Sequence, residues 1–273
     1  MGKALDTITG RATAPGAVLT ALTMSAGDTL TVRNAPLDSM VRLLQVWADT
    51  QAAGTLRIRS PRLHDNVEGI RLDVLTSEVR PLLPDRFVQP LIPQDTLIAE
   101  LSGSAVGGEI ESAAMMLYYD NLPGIAARLI DPATLLANMV NLMTVENTLA
   151  LGIAGGYSGE EALTTEFDQL KANTDYALLG YLVDAECAGV FWRGSDTGNL
   201  RVGGPGDDTG REYTRSWFYR LSMNYQLPLI PVFNSANKDA ILVDGVQSQA
   251  GTDVTVTSIF AQLKPGAAPL SAG

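Results

Sequence analysis

Hydrophobic and polar residues alternate along several short stretches of the chain, and this alternation predicts β-strands. Between residues 54 and 60, Leu56 and Ile58 alternate with Thr55, Arg57 and Arg59, and between 70 and 74 the apolar residues are separated by Arg71 and Asp73. A period of two residues is that of a half-buried strand. Further strands are predicted at 96–101, 110–119, 148–153, 189–193, 216–224, 240–243 and 254–260, and a strand or a short helix at 41–47. The nearly continuous apolar run at 177–183 is predicted as a strand buried on both faces.

One stretch between residues 123 and 147 has the spacing of a helix. Asp131 followed by Pro132 is typical of a helix start, since Asp caps the first turn and Pro is tolerated at its first position. The apolar residues Leu135, Leu136, Met139, Leu142 and Met143 then fall on one helical face. We interpret this stretch as a short helical linker that buries its apolar side.

The chain contains an internal repeat. The tetrapeptide Pro-Leu-Ile-Pro begins at residue 90 and again at residue 228. Four matched segments in one order, at nearly constant spacing, indicate one module written twice. The other three pairs are VWAD at 46–49 with LVDA at 182–185, GTLRIRS at 54–60 with GVFWRGS at 189–195, and MLYYDNL at 116–122 with SIFAQL at 258–263.

Two copies of one strand-rich module predict an all-β fold with two tandem antiparallel β-sandwiches, jelly-roll-like, joined by a short helical linker. Regular short strands with Gly and Pro between them are typical of sandwiches. The irregular start of the chain is interpreted as an arm that orders only against a neighbour. The predicted boundaries are an N-terminal arm at 1–20, a first sandwich at 21–122, the linker at 123–147, a second sandwich at 148–264 and a C-terminal tail at 265–273.

Charge and hydropathy narrow the classes of function. The 19 basic and 30 acidic residues give a net charge of -11. A chain this acidic repels phosphate, which disfavours direct sequence-specific binding of nucleic acid. No apolar run approaches the roughly 18 residues of a membrane span, and the N-terminus lacks a secretion signal. We therefore expect a soluble chain, made in the cytoplasm and not inserted in a membrane.

The sequence presents no recognisable catalytic or cofactor site. His64 is the single histidine and Cys187 the single cysteine, which argues against a histidine-rich metal centre, a disulfide framework and a thiolate zinc site. No Gly-x-Ser-x-Gly nucleophile motif accompanies His64, which we interpret as a turn residue. Cys187 is interpreted as a small buried residue of a strand. We predict a protein that is not an enzyme, with no catalytic, cofactor-binding or metal-binding residues and no cofactor.

Arginines at positions 57, 59, 62 and 71 form a basic stripe near one edge of the first module. Such a stripe is a candidate for binding an anion, a glycan or nucleic acid. In an acidic chain we favour a different interpretation, in which these arginines pair with nearby carboxylates or with the carboxylates of a neighbouring subunit.

Two further features have both a binding and a structural interpretation. A Gly-rich loop is predicted at 195–210, and the acidic residues in and after it, Asp207, Asp208 and Glu212, are candidate calcium ligands whose spacing matches no EF-hand or nonapeptide repeat. Four aromatic residues are candidates for a sugar-stacking platform, although alternation along a strand buries at least half of them. They are Trp192, Trp217, Phe218 and Tyr219.

This organisation resembles the double jelly-roll major capsid proteins of tailless icosahedral viruses. The resemblance covers residues 21–264 and rests on the internal repeat, on the paired segments at 90–93 and 228–231, and on the matched closing strands that begin at Met116 and Ser258. It implies a structural protein of the virion whose three copies form a trimer that tiles a shell. The implied partners are further copies of the chain and other virion proteins, held in part by the terminal segments.

Two other functions are open at this stage. A carbohydrate- or receptor-binding β-sandwich, such as a phage fibre or baseplate component, would use Trp192, Trp217 and the 195–210 loop. An enzyme on a two-sandwich scaffold, such as a bicupin or a glycosidase, would need metal ligands or a carboxylate pair that the sequence does not present.

Overall fold

The computed structural model describes residues 2–24, 41–61, 67–76, 78–91, 97–125, 127–163, 170–247 and 252–267. These ranges form four antiparallel β-sheets with three short α-helices. The predicted all-β sandwich fold is therefore confirmed. No helix in the described ranges has the length and apolar character needed to cross a membrane.

Module 1 comprises residues 2–122 and folds into two sheets. Its strands are β1 (Gly2–Thr13), β2 (Thr20–Ala21), β3 (Thr23–Met24), β4 (Val41–Asp49), β5 (Gly54–Arg59), β6 (Ile70–Val74), β7 (Gln89–Leu91), β8 (Ile98–Leu101) and β9 (Ile110–Leu122). Sheet 1 has the strand order β2-β8-β5-β6, and sheet 2 has the order β3-β1-β9-β4-β7.

Module 2 comprises residues 129–263 and also folds into two sheets. Its strands are β10 (Leu129–Ile130), β11 (Met139–Leu151), β12 (Glu161–Ala162), β13 (Asp175–Val183), β14 (Cys187–Arg193), β15 (Val202–Gly206), β16 (Ile230–Asn234), β17 (Leu242–Val246) and β18 (Thr252–Leu263). Its α-helices are α1 (Pro132–Asn138), α2 (Arg211–Thr214) and α3 (Trp217–Tyr225), and two 3-10 helices span Ser195–Thr197 and Ser235–Ala240. Sheet 3 has the order β12-β17-β14-β15, and sheet 4 has the order β10-β16-β13-β18-β11.

The two modules share one strand topology. When the short strands β3 and β10 are set aside, the first, eighth, third and sixth strands of each module form one sheet, and the second, seventh, fourth and fifth form the other. This arrangement of eight strands is the jelly roll. The matched sequence segments lie on equivalent strands in the two modules, namely β4 with β13, β5 with β14, β7 with β16 and β9 with β18. The internal repeat is thus a repeat of structure.

The four sheets stack as successive layers in the order 1, 2, 3, 4. Ala4 and Ile8 of β1 pack with Leu56 of β5 in the core between sheets 1 and 2. Leu5, on the other side of β1, belongs to the larger core that continues through sheets 3 and 4. Sheet 2 is therefore covered on both faces, and its long strands β1, β4 and β9 are buried along most of their length.

The prediction of an N-terminal arm at 1–20 was wrong. Residues 2–13 form β1, which pairs with β9 from Gly2 to Thr13 and lies inside sheet 2. The small and polar residues of this segment gave no two-residue alternation because both faces of the strand are covered, one by module 1 and one by module 2. Of the predicted C-terminal tail at 265–273, residues 268–273 lie outside the described residues.

Three other element predictions need correction. The linker helix is only seven residues long, capped by the Asp131 side chain, which accepts a hydrogen bond from the Thr134 N–H (2.7 Å), and it gives way to β11 at Met139. Residues 217–225 form helix α3 and not a strand. Within the predicted 195–210 loop, Val202–Gly206 is a fully buried strand.

Candidate assembly surfaces

Sheet 2 of module 1 packs against sheet 3 and helix α3 of module 2, and a buried aromatic contact lies in this interface. The Trp47 and Trp217 rings meet edge to face with their centroids 6.0 Å apart. The Trp47 indole N–H donates to the Ala188 carbonyl (2.7 Å), and the Tyr225 hydroxyl donates to the Leu44 carbonyl (2.5 Å). Buried indole and phenol groups normally find such partners. The outer face of sheet 2 thus belongs to the same hydrophobic core as module 2.

The edge of the same interface is held by backbone and side-chain hydrogen bonds. The Thr7 N–H of β1 donates to the Arg201 carbonyl (2.7 Å), and the Gly203 N–H of β15 donates to the Thr7 hydroxyl (3.3 Å). Nearby, the Thr9 hydroxyl donates to the Tyr157 hydroxyl (2.8 Å). The part of β1 that β3 does not pair with is therefore covered by β15, the edge strand of sheet 3.

Sheet 4 ends in an open strand with exposed apolar side chains. Strand β11 is the edge strand of sheet 4 and pairs only with β18 in the described ranges. In β11, Met139, Val140 and Leu142 are 39%, 48% and 60% exposed, and Leu136 in the preceding helix α1 is 63% exposed. An exposed apolar edge strand is a template for pairing with another chain. The linker interpretation assigned Leu136, Met139 and Leu142 to a buried helical face. The alternation of the buried residues Val145, Asn147 and Leu149 is the sequence signal that identifies a strand instead.

The outer face of sheet 1 is charged, and two of the four predicted arginines share a partner on it. Arg57 and Arg59 form ion pairs with Glu100 at 2.5 and 2.9 Å. Arg71 forms an exposed ion pair with Glu68 at 2.8 Å. The predicted pairing of arginines with nearby carboxylates is confirmed for these three residues, whereas Arg62 lies outside the described residues.

The candidate calcium loop holds its carboxylate with protein donors. One Asp207 oxygen accepts from the Thr209 N–H (2.8 Å) and the Gly210 N–H (2.7 Å), and the other accepts from the Tyr213 hydroxyl (2.6 Å) and from Arg80 (3.2 Å). Burial alone would raise the pKa of Asp207, but these hydrogen bonds outweigh it and hold the pKa below its usual value. Within the described ranges no group of three or more His, Cys, Asp or Glu is placed to hold a metal ion.

The candidate aromatic platform is mostly core. Trp192 and Phe218 are fully buried, and Trp217 is 4% exposed at the floor of a cleft of about 320 Å³ between residues 80–85 and helices α2 and α3. A sugar-stacking surface needs open ring faces, so packing explains these residues. Cys187 is buried in β14 as predicted, and His64 lies outside the described residues.

Several carboxylates gather around the half-buried Glu186, close to the contact between the modules. Burial, followed by repulsion from Asp49, Asp208 and Asp207, raises the pKa of Glu186 to about 7. A carboxyl group with a raised pKa binds more protons in the folded than in the unfolded chain. The folded chain therefore loses stability as the pH rises from about 5 to about 7.

We expect Glu186→Gln to remove this pH dependence. The full pKa shift corresponds to about 3 kcal/mol, which partial exposure to solvent reduces to about 1–2 kcal/mol gained at pH 8. The measurement is chemical unfolding of both proteins at pH 5 and pH 8, with the exposed Glu212→Gln as matched control. Equal stability of Glu186→Gln and the parent chain at pH 8 would contradict the prediction.

No protein-family model matches this chain, and no curated protein matches it. Solved structures that resemble it include the protein YhaK from Escherichia coli, which is 11% identical, with 94% of this chain and 86% of that chain covered and a TM-score of 0.22. The PBSX exported protein XepA is 10% identical, with 91% and 88% covered and a TM-score of 0.23. At TM-scores this low, neither likeness carries a conclusion.

Proposed function

We propose that this chain is a structural coat protein of a virion, which self-assembles through head-to-tail trimers into an icosahedral shell. The observation that carries the proposal is the packing of two like jelly rolls within one chain, with sheet 2 of the first against sheet 3 of the second. Because fold alone does not imply function, the faces that this packing leaves free matter for assembly.

The in-chain interface joins unlike faces of like modules. Sheets 2 and 4 are equivalent, and so are sheets 1 and 3, since each pair has the same strand order. The two outermost layers of the folded chain are therefore sheet 1 on one side and sheet 4 on the other. Sheet 1 is equivalent to sheet 3 and sheet 4 is equivalent to sheet 2, so the two outer layers are of the same two kinds that already pack between the modules. A head-to-tail contact of this kind generates a ring when its rotation closes. Three chains would place six jelly rolls around one axis.

The exposed residues of α1 and β11 support contact with another copy. Residues 135–145 carry no charged side chain in a chain of net charge -11, so two copies can approach there without strong repulsion. The exposed apolar side chains of Leu136, Val140 and Leu142 lie within this neutral segment. Apolar patches that monomers leave exposed commonly mark interaction surfaces.

The proposal predicts that the purified chain is not a monomer. Light scattering is expected to give a mass near three times the 29.0 kDa of one chain, and negative-stain imaging of the same fraction is expected to show ring-like trimers or closed particles. A chain that stays at 29.0 kDa at the highest soluble concentration, over a range of salt concentrations, would contradict the proposal.

A further inference from the structure

We infer that Thr144 of β11 joins one copy of the chain to the next. Its N–H donates to the Gly69 carbonyl of a second copy, and its hydroxyl accepts from the Arg71 N–H of that copy. This inference rests on the proposed head-to-tail assembly and names one of its contacts. It follows from the internal repeat, because the chain already makes the equivalent contact once, between its own two modules, through Thr7.

The in-chain contact joins β1 to the start of β15 at Thr7. The Thr7 N–H donates to the carbonyl of Arg201 (2.7 Å), the residue just before β15, and the Thr7 hydroxyl accepts from the Gly203 N–H (3.3 Å). Thr7 therefore presents a backbone donor and a side-chain acceptor to one short segment at the edge of sheet 3.

A bulge marks the register of sheet 2 around Thr7. The pairing of β4 with β9 shifts by one residue between Leu43 and Gln45, and Gln45 is the first paired residue after the shift. Gln45 pairs with Met116 of β9, and on its other side Met116 pairs with Thr7 of β1. Counting across the sheet from the bulge therefore leads to Thr7.

The equivalent bulge of sheet 4 leads to Thr144. The pairing of β13 with β18 shifts between Leu178 and Gly180, and Gly180 pairs with Ile259 of β18. On its other side Ile259 pairs with Thr144 of β11. Thr7 and Thr144 are therefore equivalent, and both modules place a threonine at this position.

The backbone N–H of Thr144 points to the open edge of sheet 4. On the far side of β18, the Thr255 N–H donates to the carboxylate of Asp184 (2.7 Å), which follows β13, and the Thr255 carbonyl accepts from the Asp184 N–H (3.2 Å). Backbone groups alternate direction along an antiparallel strand, so Ile259 also points toward β13 and its partner Thr144 points away from β18. The Thr144 side chain is exposed.

The counterpart of β15 in module 1 is β6, the edge strand of sheet 1. Both strands have five residues, and each is paired with its neighbour from its first residue to its last. The end pairs are Ile58 with Ile70 and Gly54 with Val74 in module 1, and Trp192 with Val202 and Cys187 with Gly206 in module 2. Since β6 and β15 match at both ends, Gly69 corresponds to Arg201, and Arg71 corresponds to Gly203.

The Gly69 carbonyl and the Arg71 N–H point to the open edge of sheet 1. Thr55 of β5 turns its backbone toward the segment after β8, from which its carbonyl accepts a backbone hydrogen bond (3.0 Å). Alternation then turns Ile58 toward β6, so that its partner Ile70 points back to β5. The Ile70 N–H and the Gly69 carbonyl belong to one planar trans peptide group and point in opposite directions. The Gly69 carbonyl therefore points away from β5, as does the N–H of Arg71, the next residue of the strand.

Repeating the in-chain contact between two copies gives each of four polar groups a partner. These are the N–H and the hydroxyl of Thr144 in one copy, and the Gly69 carbonyl and the Arg71 N–H in the other. Within the described ranges β11 pairs only with β18 and β6 only with β5, so both strand edges are open. Residues 135–145 carry no charged side chain, so this segment does not repel the exposed Arg71. Each copy thereby covers an open edge of the other.

The test removes the two polar groups of Thr144 in turn. Thr144→Val keeps the shape but loses the hydroxyl, and is expected to weaken assembly about two- to tenfold, the usual effect of one hydrogen bond. Thr144→Pro also loses the N–H and is expected to weaken assembly at least about tenfold, while the fold tolerates Pro in an edge strand whose N–H faces outward. Thr144→Ser keeps both groups and is expected to assemble like the parent chain.

Association is measured by light scattering across a concentration series, with circular dichroism to confirm that each variant is folded. Thr148→Val is the matched control, since Thr148 is an exposed threonine of the same strand. Its equivalent in β1 is Arg11, which pairs with β3 and not with β15. Thr148→Val is therefore expected to assemble like the parent chain, and a loss equal to that of Thr144→Val would contradict the inferred contact.

A cross-link provides a readout that does not depend on affinity. Thr144→Cys combined with Arg71→Cys is expected to give a disulfide on oxidation, and the buried Cys187 does not compete for it. The two positions lie on opposite outer layers of one chain, so this disulfide must join two copies. If the parent chain assembles while Thr144→Pro assembles equally well and no cross-link forms, the inference is wrong and the proposed function stands. A parent chain that remains monomeric overturns both.

Discussion

Replacing Trp47 by alanine is expected to lower the free energy of unfolding by about 3–5 kcal/mol, the range for removing a large aromatic side chain from a packed core. Trp47 is fully buried and joins the two jelly rolls through its contact with Trp217 and its hydrogen bond to Ala188. The substitution leaves a cavity in the shared core and an unpaired carbonyl at Ala188. Guanidinium unfolding followed by circular dichroism measures the loss.

Two further variants separate the contact between modules from simple loss of volume. Trp47→Phe keeps an aromatic ring but loses the N–H donor, and is expected to lose less stability than Trp47→Ala. Trp217→Ala combined with Trp47→Ala is expected to cost less than the sum of the single changes, because each single change already destroys the ring contact. Val106→Ala, at a side chain that is 61% exposed, serves as the neutral control. Additive effects, or a loss below about 1 kcal/mol for Trp47→Ala, would show that this contact does not couple the modules.

The strands that could be predicted best from the sequence are those with one face buried and one face exposed to solvent. In β5 and β6 the side chains of Leu56 and Ile58 enter the core while Arg57 and Arg71 face solvent, so burial and the hydrophobic pattern carry the same two-residue period. Sheet 1 is the outer layer of its module. A sheet with one solvent-exposed face has strands in which hydrophobic and polar residues alternate.

The inner layers could not be predicted in the same way. In β1, Ala4 and Ile8 face one core and Leu5 faces another, while Thr7 and Thr9 are buried because their hydroxyls meet partners in module 2. Those partners are about 150 to 200 residues away along the chain, by the sequence separations of the two hydrogen bonds. A segment of small and polar residues therefore resembled an arm, although it is the first strand of sheet 2.

Ambiguous periodicity explains the errors at α3 and β11. In α3 the buried residues Trp217, Leu221 and Tyr225 are four apart, a helical spacing that the aromatic content of the segment concealed. In β11 the first residues after α1 fit a helical stripe equally well, and only the alternation from Thr144 to Leu151 identifies a strand. The hydrogen bonding of β18 decides between the two, and it is not visible in a single sequence.

The internal repeat predicted more of the architecture than any local pattern, but not its register. Matching the sequence letters makes Gly54 equivalent to Gly189. Matching the ends of β5 and β14 makes Arg59 equivalent to Arg193, which shifts the alignment by one residue. A shift of one residue exchanges the two faces of a strand. The register of equivalent strands therefore follows from strand pairing and could not be derived from the repeated letters alone.

Breaking the buried ion pair at the start of module 2 is expected to lower the free energy of unfolding as much as removing the aromatic contact does. Arg128, 6% exposed, donates two hydrogen bonds to the Asp175 carboxylate (2.8 and 2.7 Å) and lies 3.7 Å from an Asp196 oxygen. Removing one partner of such a group strands the other charge in the core, which typically costs 3–5 kcal/mol. We expect Arg128→Met to lower the free energy of unfolding by about that amount at pH 7.

The pH dependence of this loss identifies its cause. Burial raises the pKa of Asp175, but hydrogen bonds from Arg128 and Asn234 outweigh it and hold the pKa below its usual value. The stabilisation by Asp175 is therefore present above the pKa of an unfolded Asp and is lost as the pH falls through the lower pKa of the folded state. Without Arg128 the Asp175 pKa should rise, so the gap between variant and parent is expected to narrow from pH 7 to pH 4.

Neutralising the stranded partner tests the same argument from the other side. Arg128→Met combined with Asp175→Asn is expected to recover part of the stability lost by Arg128→Met alone, because the double variant no longer buries an unpaired charge. Arg215→Met, at an exposed arginine in module 2, is the matched control and should change the stability by less than about 0.5 kcal/mol. If the double variant is less stable than Arg128→Met, or if the loss is the same at pH 4 and pH 7, the stranded charge is not the cause. The shape of the Arg128 side chain would then explain the loss.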